Sequence, residues 1–250
     1  EFYGWWERRD CFLYIMELAD GTVQDLVLSQ PFEVVDMSTR VRLFKELIDG
    51  LAAMHREGFV HRSIWPKNIL VKRDGAGQLH VKIADFASAC RLEPDSGPES
   101  LTREEEVTMV GVPTYFSPEV RDDGWWSPRS DAFAAGLVLY QMVFEGSLPP
   151  LFTEIQAVVD KEDPLFDQAW GTYDVSKDPL FAAAKAAAVG SEGKPGDPWF
   201  AGVLQVLERM LDRNEDTRYD AYAAREALLA LDWPEAAATK VLRKAAVAPI

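Results

Sequence analysis

The first eighteen residues carry apolar side chains on both sides of a short charged break, a pattern that predicts β-strands. The segment reads EFYGWWERRDCFLYIMEL, and its break is Arg8-Arg9-Asp10. Apolar runs around a short polar turn are typical of a hairpin. We therefore predict two antiparallel strands joined by a tight turn, with a change to helical periodicity after Gly21.

The clearest helical pattern places apolar side chains at steps of three and four residues. Asp36 can cap its start, and Gly58 follows its end. The periodic positions are Met37, Val41, Phe44, Leu47, Ile48, Leu51 and Met54. This stripe predicts an amphipathic helix with one face against a core.

Further strands and helices follow along the chain. Residues 68–71 and 79–83 flank a turn-forming run and predict a second hairpin. A helix over 131–144, opened by Ser127-Pro128, is apolar on nearly every side, so we expect it to be buried. Residues 203–211 and 221–231 predict two amphipathic helices. Strands first and helices afterwards indicate an α+β, mainly α-helical fold class.

Two stretches lack clear periodicity. Residues 88–114 are polar and acidic, which predicts an exposed loop. Residues 161–198 are irregular and contain two Asp-Pro helix starts, at Asp163 and Asp178. Gly190 to Gly196 is predicted to be a flexible loop.

Composition excludes several classes of function. The chain has 250 residues, of which 48% are hydrophobic, and a formal net charge of −15. Such an acidic chain is not expected to bind nucleic acid or an anionic membrane, since both require clustered cations. No apolar run is long enough to span a bilayer, and the charged start does not resemble a signal peptide, so we expect a cytoplasmic protein. Cys11 and Cys90 are too few for a disulfide framework, although one bridge stays open.

Several motifs resemble, in the correct order, those of the protein kinase family. His61-Arg62-Ser63-Ile64-Trp65-Pro66-Lys67-Asn68 is similar to the catalytic loop H-R-D-L-x-x-x-N, Asp85-Phe86-Ala87 to D-F-G, and Ser117-Pro118-Glu119 to A-P-E. Asp131 fits the family's buried helix, and Arg218 fits the Arg that pairs with the Glu of A-P-E. The resemblance implies a kinase-like fold over nearly the whole chain.

The resemblance also implies a division into two lobes. Residues 1–18 would be the last two strands of the small lobe and the start of the hinge, and residues 19–250 the large lobe. The large lobe would contain the catalytic-loop region 59–71, the activation segment 85–119 and an irregular insert at 161–198.

By the same resemblance, ATP and Mg²⁺ are the candidate cofactors. The nucleotide-binding positions implied are Met16 at the back of the adenine pocket, the hinge residues Glu17, Leu18 and Ala19, then Leu70 and Asp85. The sequence given contains no G-x-G-x-x-G, and the family's strand Lys and helix Glu have no counterpart in it.

The catalytic loop departs from the family pattern at two positions. Ser63 stands where the family has the Asp that accepts the substrate's hydroxyl proton, and a serine hydroxyl cannot be a base near neutral pH. Trp65 stands where a loop Lys contacts the transferred phosphate, so a cation is replaced by an uncharged ring. Both changes predict impaired phosphoryl transfer.

Two other motif positions keep the family's residue types, and a third departs from them. Asn68 and Asp85 supply the oxygen ligands that Mg²⁺ prefers, or alternatively brace their own loops. Ala87 replaces a Gly and restricts the turn after Phe86.

The remaining matches concern the scaffold. The resemblance implies that His61 and Phe86 pack in the core and that Asp131 braces the catalytic-loop backbone. It also implies a mostly buried ion pair between Glu119 and Arg218.

Arg62 has two alternatives. It pairs with a phosphate on Ser100, Thr102 or Thr108, or else it pairs with the acidic run at 104–106 or with no residue. The pairs Trp5-Trp6 and Trp125-Trp126 are candidate partner surfaces or half-buried core residues. Cys90 is either a small buried apolar residue or a reactive thiol.

These observations favour a pseudokinase, a kinase-like domain that binds another protein as a scaffold or allosteric regulator. The first alternative is a weak or unorthodox ATP-dependent Ser/Thr kinase in which another group replaces the base. A nucleotide sensor that does not transfer phosphate is the second alternative.

Overall fold

Helices dominate the computed structural model of the chain, which describes residues 2–9, 11–28, 35–92, 110–150, 152, 173–191 and 194–234. These residues form seven α-helices and nine strands, all paired antiparallel. The α+β, mainly helical fold class predicted from the sequence is therefore confirmed.

The N-terminal hairpin consists of β1 (Phe2–Arg8) and β2 (Cys11–Met16), and Arg8 pairs with Cys11 beside the turn. The register shifts between Phe2 and Gly4, as at a β-bulge. Nearly every side chain of both strands is exposed. The two predicted strands are present, but among the described residues no element covers either face.

The other strands are short: β3 (Gly21–Thr22), β4 (Phe59–Val60), β5 (Ile69–Arg73), β6 (Leu79–Ile83), β7 (Cys90–Arg91), β8 (Gly190–Ser191) and β9 (Lys194–Pro195). Strands β3, β5 and β6 form one sheet in that order, and β4 pairs with β7. The predicted second hairpin is thus confirmed as β5 and β6.

The helices are α1 (Val23–Leu28), α2 (Met37–Arg56), α3 (Pro118–Asp123), α4 (Pro128–Val143), α5 (Pro179–Val189), α6 (Pro198–Met210) and α7 (Ala221–Leu229). Helix α2 begins where predicted, because the Asp36 carboxylate accepts a hydrogen bond from the Thr39 N–H at 2.7 Å. The chain leaves α2 through Gly58, whose φ of 79° suits a glycine.

Helix α4 lies in the main hydrophobic core. Ser127 and Ser130 cap its start reciprocally, and every residue from Ser130 to Val143 is buried. A Cβ atom added at Gly136 would lie 2.9 Å from a Leu211 methyl group, so the small residue allows close packing. Helix α4 packs against α2 and α6, and its Asp131 side chain reaches the loop that carries His61 and Arg62.

Two loop predictions are corrected. Gly190 to Gly196 is not simply a flexible loop, because β8 and β9 pair antiparallel within it and Gly190 supplies a φ of 85°. The start of the predicted loop 88–114 forms strand β7. The helix start at Asp163 lies outside the described residues, whereas Asp178 caps α5 by accepting from the Phe181 N–H at 2.7 Å.

Candidate functional site

Asp131 of helix α4 anchors the loop between β4 and β5 through hydrogen bonds. The Asp131 carboxylate accepts hydrogen bonds from the backbone N–H of His61 at 2.7 Å and of Arg62 at 2.9 Å. His55 Nε2 lies 3.0 Å from the same carboxylate. Because Asp131 is 1% exposed, these three partners replace its water. The carboxylate therefore fixes the backbone from which the candidate site projects.

Ser63 and Asn68 are joined across this loop. The Asn68 Nδ2 amide donates to the backbone oxygen and to the hydroxyl oxygen of Ser63, both at 3.0 Å. Asn68 is buried, and its backbone N–H donates to the Trp65 oxygen at 3.0 Å. Asn68 thus braces its own loop, which was one of the two roles foreseen for it.

Asp85 follows β6 and adjoins Asn68, which precedes β5, at the open end of the β5–β6 hairpin. The Ala84 N–H donates to the Asn68 oxygen at 2.8 Å, and Asp85 Oδ2 lies 3.5 Å from Asn68 Nδ2. Asp85 has a φ of 62°, in the left-handed region that few non-glycine residues adopt. Its side chain is exposed.

The donor atoms at this point fit Mg²⁺. Asn68 commits its amide nitrogen to Ser63, so Oδ1, which accepts no hydrogen bond from the described residues, is its candidate ligand atom. Carboxylate and amide oxygens are hard ligands, and protein Mg²⁺ sites commonly use one or two such groups with substrate phosphates. In the described part of the chain, no three or more His, Cys, Asp or Glu side chains cluster as metal ligands.

The Trp65 side chain lies beside Tyr115, which belongs to a short turn at residues 113–115. Its half-buried ring lies 6.4 Å from the Tyr115 ring, centroid to centroid. Lys67 Nζ lies over the same ring, 5.3 Å from its centroid. Sequence reasoning singled out Trp65 but not its two neighbours, because Lys67 occupies a variable position of the catalytic-loop motif and Tyr115 lies outside the motifs.

His61 is fully buried, and its Nε2 atom lies 3.1 Å from the Ala84 oxygen. Burial lowers the pKa of His61, and the nearby Asp131 carboxylate opposes that shift only in part. Phe86 packs edge-on against the His61 ring at 5.1 Å but is 54% exposed. The expectation that Phe86 lies in the core is therefore wrong, since within the described residues its outer side stays uncovered.

The contacts that Arg62 makes with the described residues do not decide between its predicted partners. Its Nε donates to the Ser88 oxygen at 2.6 Å, and its φ is 62°. Ser100, Thr102, Thr108 and the acidic run at 104–106 lie outside the described residues. Gly111 passes so close that a Cβ there would lie 2.6 Å from the Arg62 oxygen, so the backbone at Gly111 packs against this loop.

Glu119 and Arg218 form a bidentate ion pair beside helix α4. Arg218 Nη1 and Nη2 donate to the two Glu119 oxygens at 2.7 and 3.0 Å, and Ser130 donates to Oε1 at 2.9 Å. Burial alone would raise the pKa of Glu119, but the hydrogen bonds and charge of Arg218 outweigh it, so the pKa lies below its ordinary value. The Arg218 side chain is 0% exposed.

The positions predicted to form the hinge lie beside the β5–β6 hairpin. Met16, which ends β2, and Leu18 are 60% and 83% exposed. Glu17 forms an ion pair with Lys82, whose backbone position pairs with Leu70. Ala19 is half-buried in the same connection. The predicted adenine contacts thus lie near the β5–β6 hairpin, at whose open end Asn68 and Asp85 are found.

The remaining predictions concern tryptophans and cysteines. Trp5 and Trp6 are 57% and 48% exposed, whereas Trp126 is buried against Phe116 and its neighbour Trp125 is 42% exposed. In the second pair, one tryptophan therefore lies in the core and the other at the surface. Cys11 is exposed and Cys90 is half-buried, and the two are not joined by a disulfide bridge.

A model of a known family matches most of this chain. The model describes the protein kinase domain, and the match covers residues 1–228. The chain belongs to the protein kinase family. The resemblance inferred from the ordered motifs is confirmed, and the elements described above are those of a kinase domain.

Kinases of bacteria and animals are similar to this kinase domain. Serine/threonine-protein kinase PknL of Mycobacterium tuberculosis is 30% identical over 204 residues, 74% of this chain and 47% of the relative. Serine/threonine-protein kinase PkaA of Streptomyces coelicolor is 34% identical over 129 residues, 52% and 22% of the two chains. Myotonin-protein kinase of Mus musculus is 37% identical over 111 residues, 42% and 16%. The chain spans less than half the length of these relatives.

One helix property bears on membranes. Among the helices in the described ranges, none combines the length and the apolar character needed to cross a bilayer.

Proposed function

We propose that this kinase domain is a pseudokinase that binds another protein, as a scaffold or allosteric regulator, and transfers phosphate poorly or not at all. The observation that carries the proposal is Ser63 at the position of the catalytic base, with its hydroxyl oxygen accepting a hydrogen bond from Asn68. A serine hydroxyl has no basic form near neutral pH, so it cannot take the substrate's proton. Loss of a general base costs roughly a hundred- to ten-thousand-fold in rate.

Trp65 supports the same conclusion from the side of the phosphate. A cation at this position would offset the charge on the transferred group, whereas the Trp65 ring packs against Tyr115. Lys67, the nearest cation along the loop, lies over that ring and is exposed. Ser63 thus cannot accept the substrate's proton, and Trp65 cannot offset the negative charge of the transferred phosphate.

Nucleotide binding is a separate part of the proposal. Asn68 Oδ1 and the Asp85 carboxylate would hold Mg²⁺ together with the phosphates of ATP, and Met16, Ala19 and Leu70 would contact the base. Bound Mg²⁺ neutralises phosphate charge. The residues of this chain would position the nucleotide without supplying a proton acceptor at Ser63. A nucleotide sensor differs from a pure scaffold here, because ATP with Mg²⁺ would raise its melting temperature.

A weak or unorthodox Ser/Thr kinase is the second candidate function. Two observations favour it: Asp85 lies 3.5 Å from the Asn68 amide, and relatives such as PknL and PkaA are named as serine/threonine-protein kinases. In this case another carboxylate, or a group on the substrate, would accept the proton. Substituting Ser63→Asp would then raise a measurable activity further.

Transfer of radiolabelled γ-phosphate from ATP to a protein substrate separates the two candidates. A pseudokinase gives the same background signal in wild type and in Asp85→Ala. A weak kinase gives a wild-type signal that Asp85→Ala abolishes, because Asp85 is then needed to hold the metal.

A further inference from the structure

His80 of strand β6 lies between two carboxylates that belong to different elements. Its Nδ1 atom is 3.1 Å from Glu46 Oε1 of helix α2, and its Nε2 atom is 3.4 Å from Asp74 Oδ2 in the turn between β5 and β6. We call these three side chains, Glu46, His80 and Asp74, the clamp. Through one half-buried imidazole ring, the clamp joins the turn of the β5–β6 hairpin to helix α2.

Glu46 is held in place by the backbone of β6 and by its own helix. Strand β5 pairs with one edge of β6, so the groups on the other edge need partners. The Glu46 carboxylate accepts from the Val81 N–H at 3.0 Å, and Arg42 Nη2 donates to the Leu79 oxygen at 2.7 Å. Two side chains of α2 therefore satisfy this edge, and the position of Glu46 does not depend on His80.

Asp74 is fixed by the turn in which it lies. Its Oδ1 atom accepts from the backbone N–H of Ala76 at 2.9 Å and of Gln78 at 2.8 Å, whereas Oδ2 faces the His80 ring. The hydrogen bond from Gln78, and after it the contact with His80, hold the pKa of Asp74 below its ordinary value. Asp74 is therefore an ionised acceptor near neutral pH.

The number of protons on the His80 ring decides how many of its contacts are hydrogen bonds. A neutral imidazole has one N–H group and one bare nitrogen, whereas an imidazolium has two N–H groups. Ionised carboxylates only accept hydrogen bonds, so a neutral ring leaves one carboxylate oxygen facing a nitrogen lone pair. Only the imidazolium can donate to Glu46 and Asp74 together.

Two further charged side chains bear on the ring within the described part of the chain, Arg42 and Lys72. Arg42 Nη1 donates to Glu46 Oε1 at 2.5 Å, so the carboxylate that gains its cation from His80 is Asp74. Lys72 lies opposite His80 across the hairpin, and its like charge opposes an imidazolium. Its ammonium, however, donates to a backbone oxygen at 2.6 Å. Two carboxylates in contact with the ring outweigh this one cation.

We propose that the clamp is a pH-sensitive device that attaches the β5–β6 hairpin to helix α2 more strongly when His80 carries two protons. Histidine is the side chain that ordinarily changes its charge between pH 5 and 8. The open end of the same hairpin carries Asn68 and Asp85, so the clamp acts on the element that positions the candidate metal ligands. This inference goes beyond the proposed function and does not depend on phosphate transfer.

The melting temperatures of wild type and His80→Gln at pH 5.5 and pH 8.0 test the proposal. The unfolded chain lacks the clamp, so a second proton on His80 favours the folded chain. Its contribution is present at pH 5.5 and is lost as the pH rises to 8.0. We expect wild type to exceed His80→Gln by about 2 °C more at pH 5.5 than at pH 8.0. Both proteins contain His61, so its effect cancels from each difference.

Asp74→Asn is the matched control variant. Its side-chain oxygen can still accept from the N–H groups of Ala76 and Gln78, but an amide N–H replaces the oxygen that faces His80. In the Asp74→Asn background, His80→Gln should change the melting temperature equally at both pH values. Nitrogen NMR of isotope-labelled histidine gives the fraction of imidazolium at pH 7.0. This fraction for His80 should be at least twofold higher in wild type than in Asp74→Asn.

A melting-temperature difference between wild type and His80→Gln that is the same at both pH values overturns the clamp proposal. An imidazolium fraction that Asp74→Asn leaves unchanged also overturns it, and this measurement decides if His80→Gln fails to fold. Neither readout involves phosphate transfer, so an active kinase domain contradicts the proposed pseudokinase and leaves the clamp intact.

Discussion

The Asn68 side chain donates to both the backbone oxygen and the hydroxyl oxygen of Ser63, at 3.0 Å each. An ionised Asp at position 63 would carry a charge that needs solvation and partners, whereas serine needs only this neutral contact. The serine is thus integrated into the hydrogen bonding of the loop. Efficient phosphoryl transfer uses a residue that orients the attacking hydroxyl and takes up its proton, and the contact between these two residues does not provide one.

Substituting Ser63→Ala tests the structural part of this relationship. The change removes the acceptor of one Asn68 hydrogen bond and leaves the bond to the backbone oxygen. We expect the free energy of unfolding to fall by about 1 kcal/mol. Urea denaturation measures the loss, and Ser88→Ala serves as the control because its backbone oxygen, not its hydroxyl, contacts Arg62. An unchanged midpoint for Ser63→Ala would show that its hydroxyl contributes nothing to the loop.

Asp131 should be far more important to stability than Ser63. Replacing it with Ala leaves the N–H groups of His61 and Arg62, and the ring of His55, without their buried acceptor. We expect a loss of about 3 to 5 kcal/mol in the free energy of unfolding.

Asp131→Asn is the matched variant for this prediction. It keeps one acceptor oxygen at the same place, so its loss in urea denaturation should be clearly smaller than that of Asp131→Ala. Equal losses would mean that the volume of the side chain, and not its acceptor oxygens, supports the loop.

Local patterns predicted much of this fold, since helices and hairpins follow from neighbouring residues. Helix α2 followed from its apolar stripe and the Asp36 cap, and the β5–β6 hairpin from apolar runs around a turn. Helix α6 was predicted too late, at Val203, because its first turn begins at the Asp197 cap and buries Trp199 and Phe200.

Contacts between distant parts of the chain could not be derived from local patterns. The brace from Asp131 to His61 joins residues 70 positions apart, and only the family resemblance suggested it. Phe86 was expected in the core because of its motif, yet burial depends on what packs around it. His55 was missed, although a His within an apolar helix stripe is a signal that a buried acceptor lies opposite.

The stability of the protein should depend on pH through His61. Burial lowers the pKa of His61 below its ordinary value of 6.5, so the unfolded chain binds more protons than the folded chain just below that pH. The stability associated with a neutral His61 is therefore fully present above about pH 6.5 and is lost as the pH falls below that value. A single group changes the free energy of unfolding by at most about 1.4 kcal/mol per pH unit.

Thermal or urea denaturation between pH 7.5 and 5.5 measures this effect. The variant His61→Phe cannot titrate at this position and keeps a ring against Phe86, so its stability should fall less steeply than that of wild type. Identical slopes for the two proteins would exclude His61 as the source.

The rate of γ-phosphate transfer to a protein substrate tests the central claim most directly. Wild type, Asp85→Ala and Ser63→Asp are compared with radiolabelled ATP and Mg²⁺, each purified in parallel so that a contaminating kinase contributes equally. The account predicts that wild type and Asp85→Ala give the same background rate. A wild-type rate that Asp85→Ala abolishes and Ser63→Asp exceeds would contradict it, because this domain would then transfer phosphate with a serine at position 63.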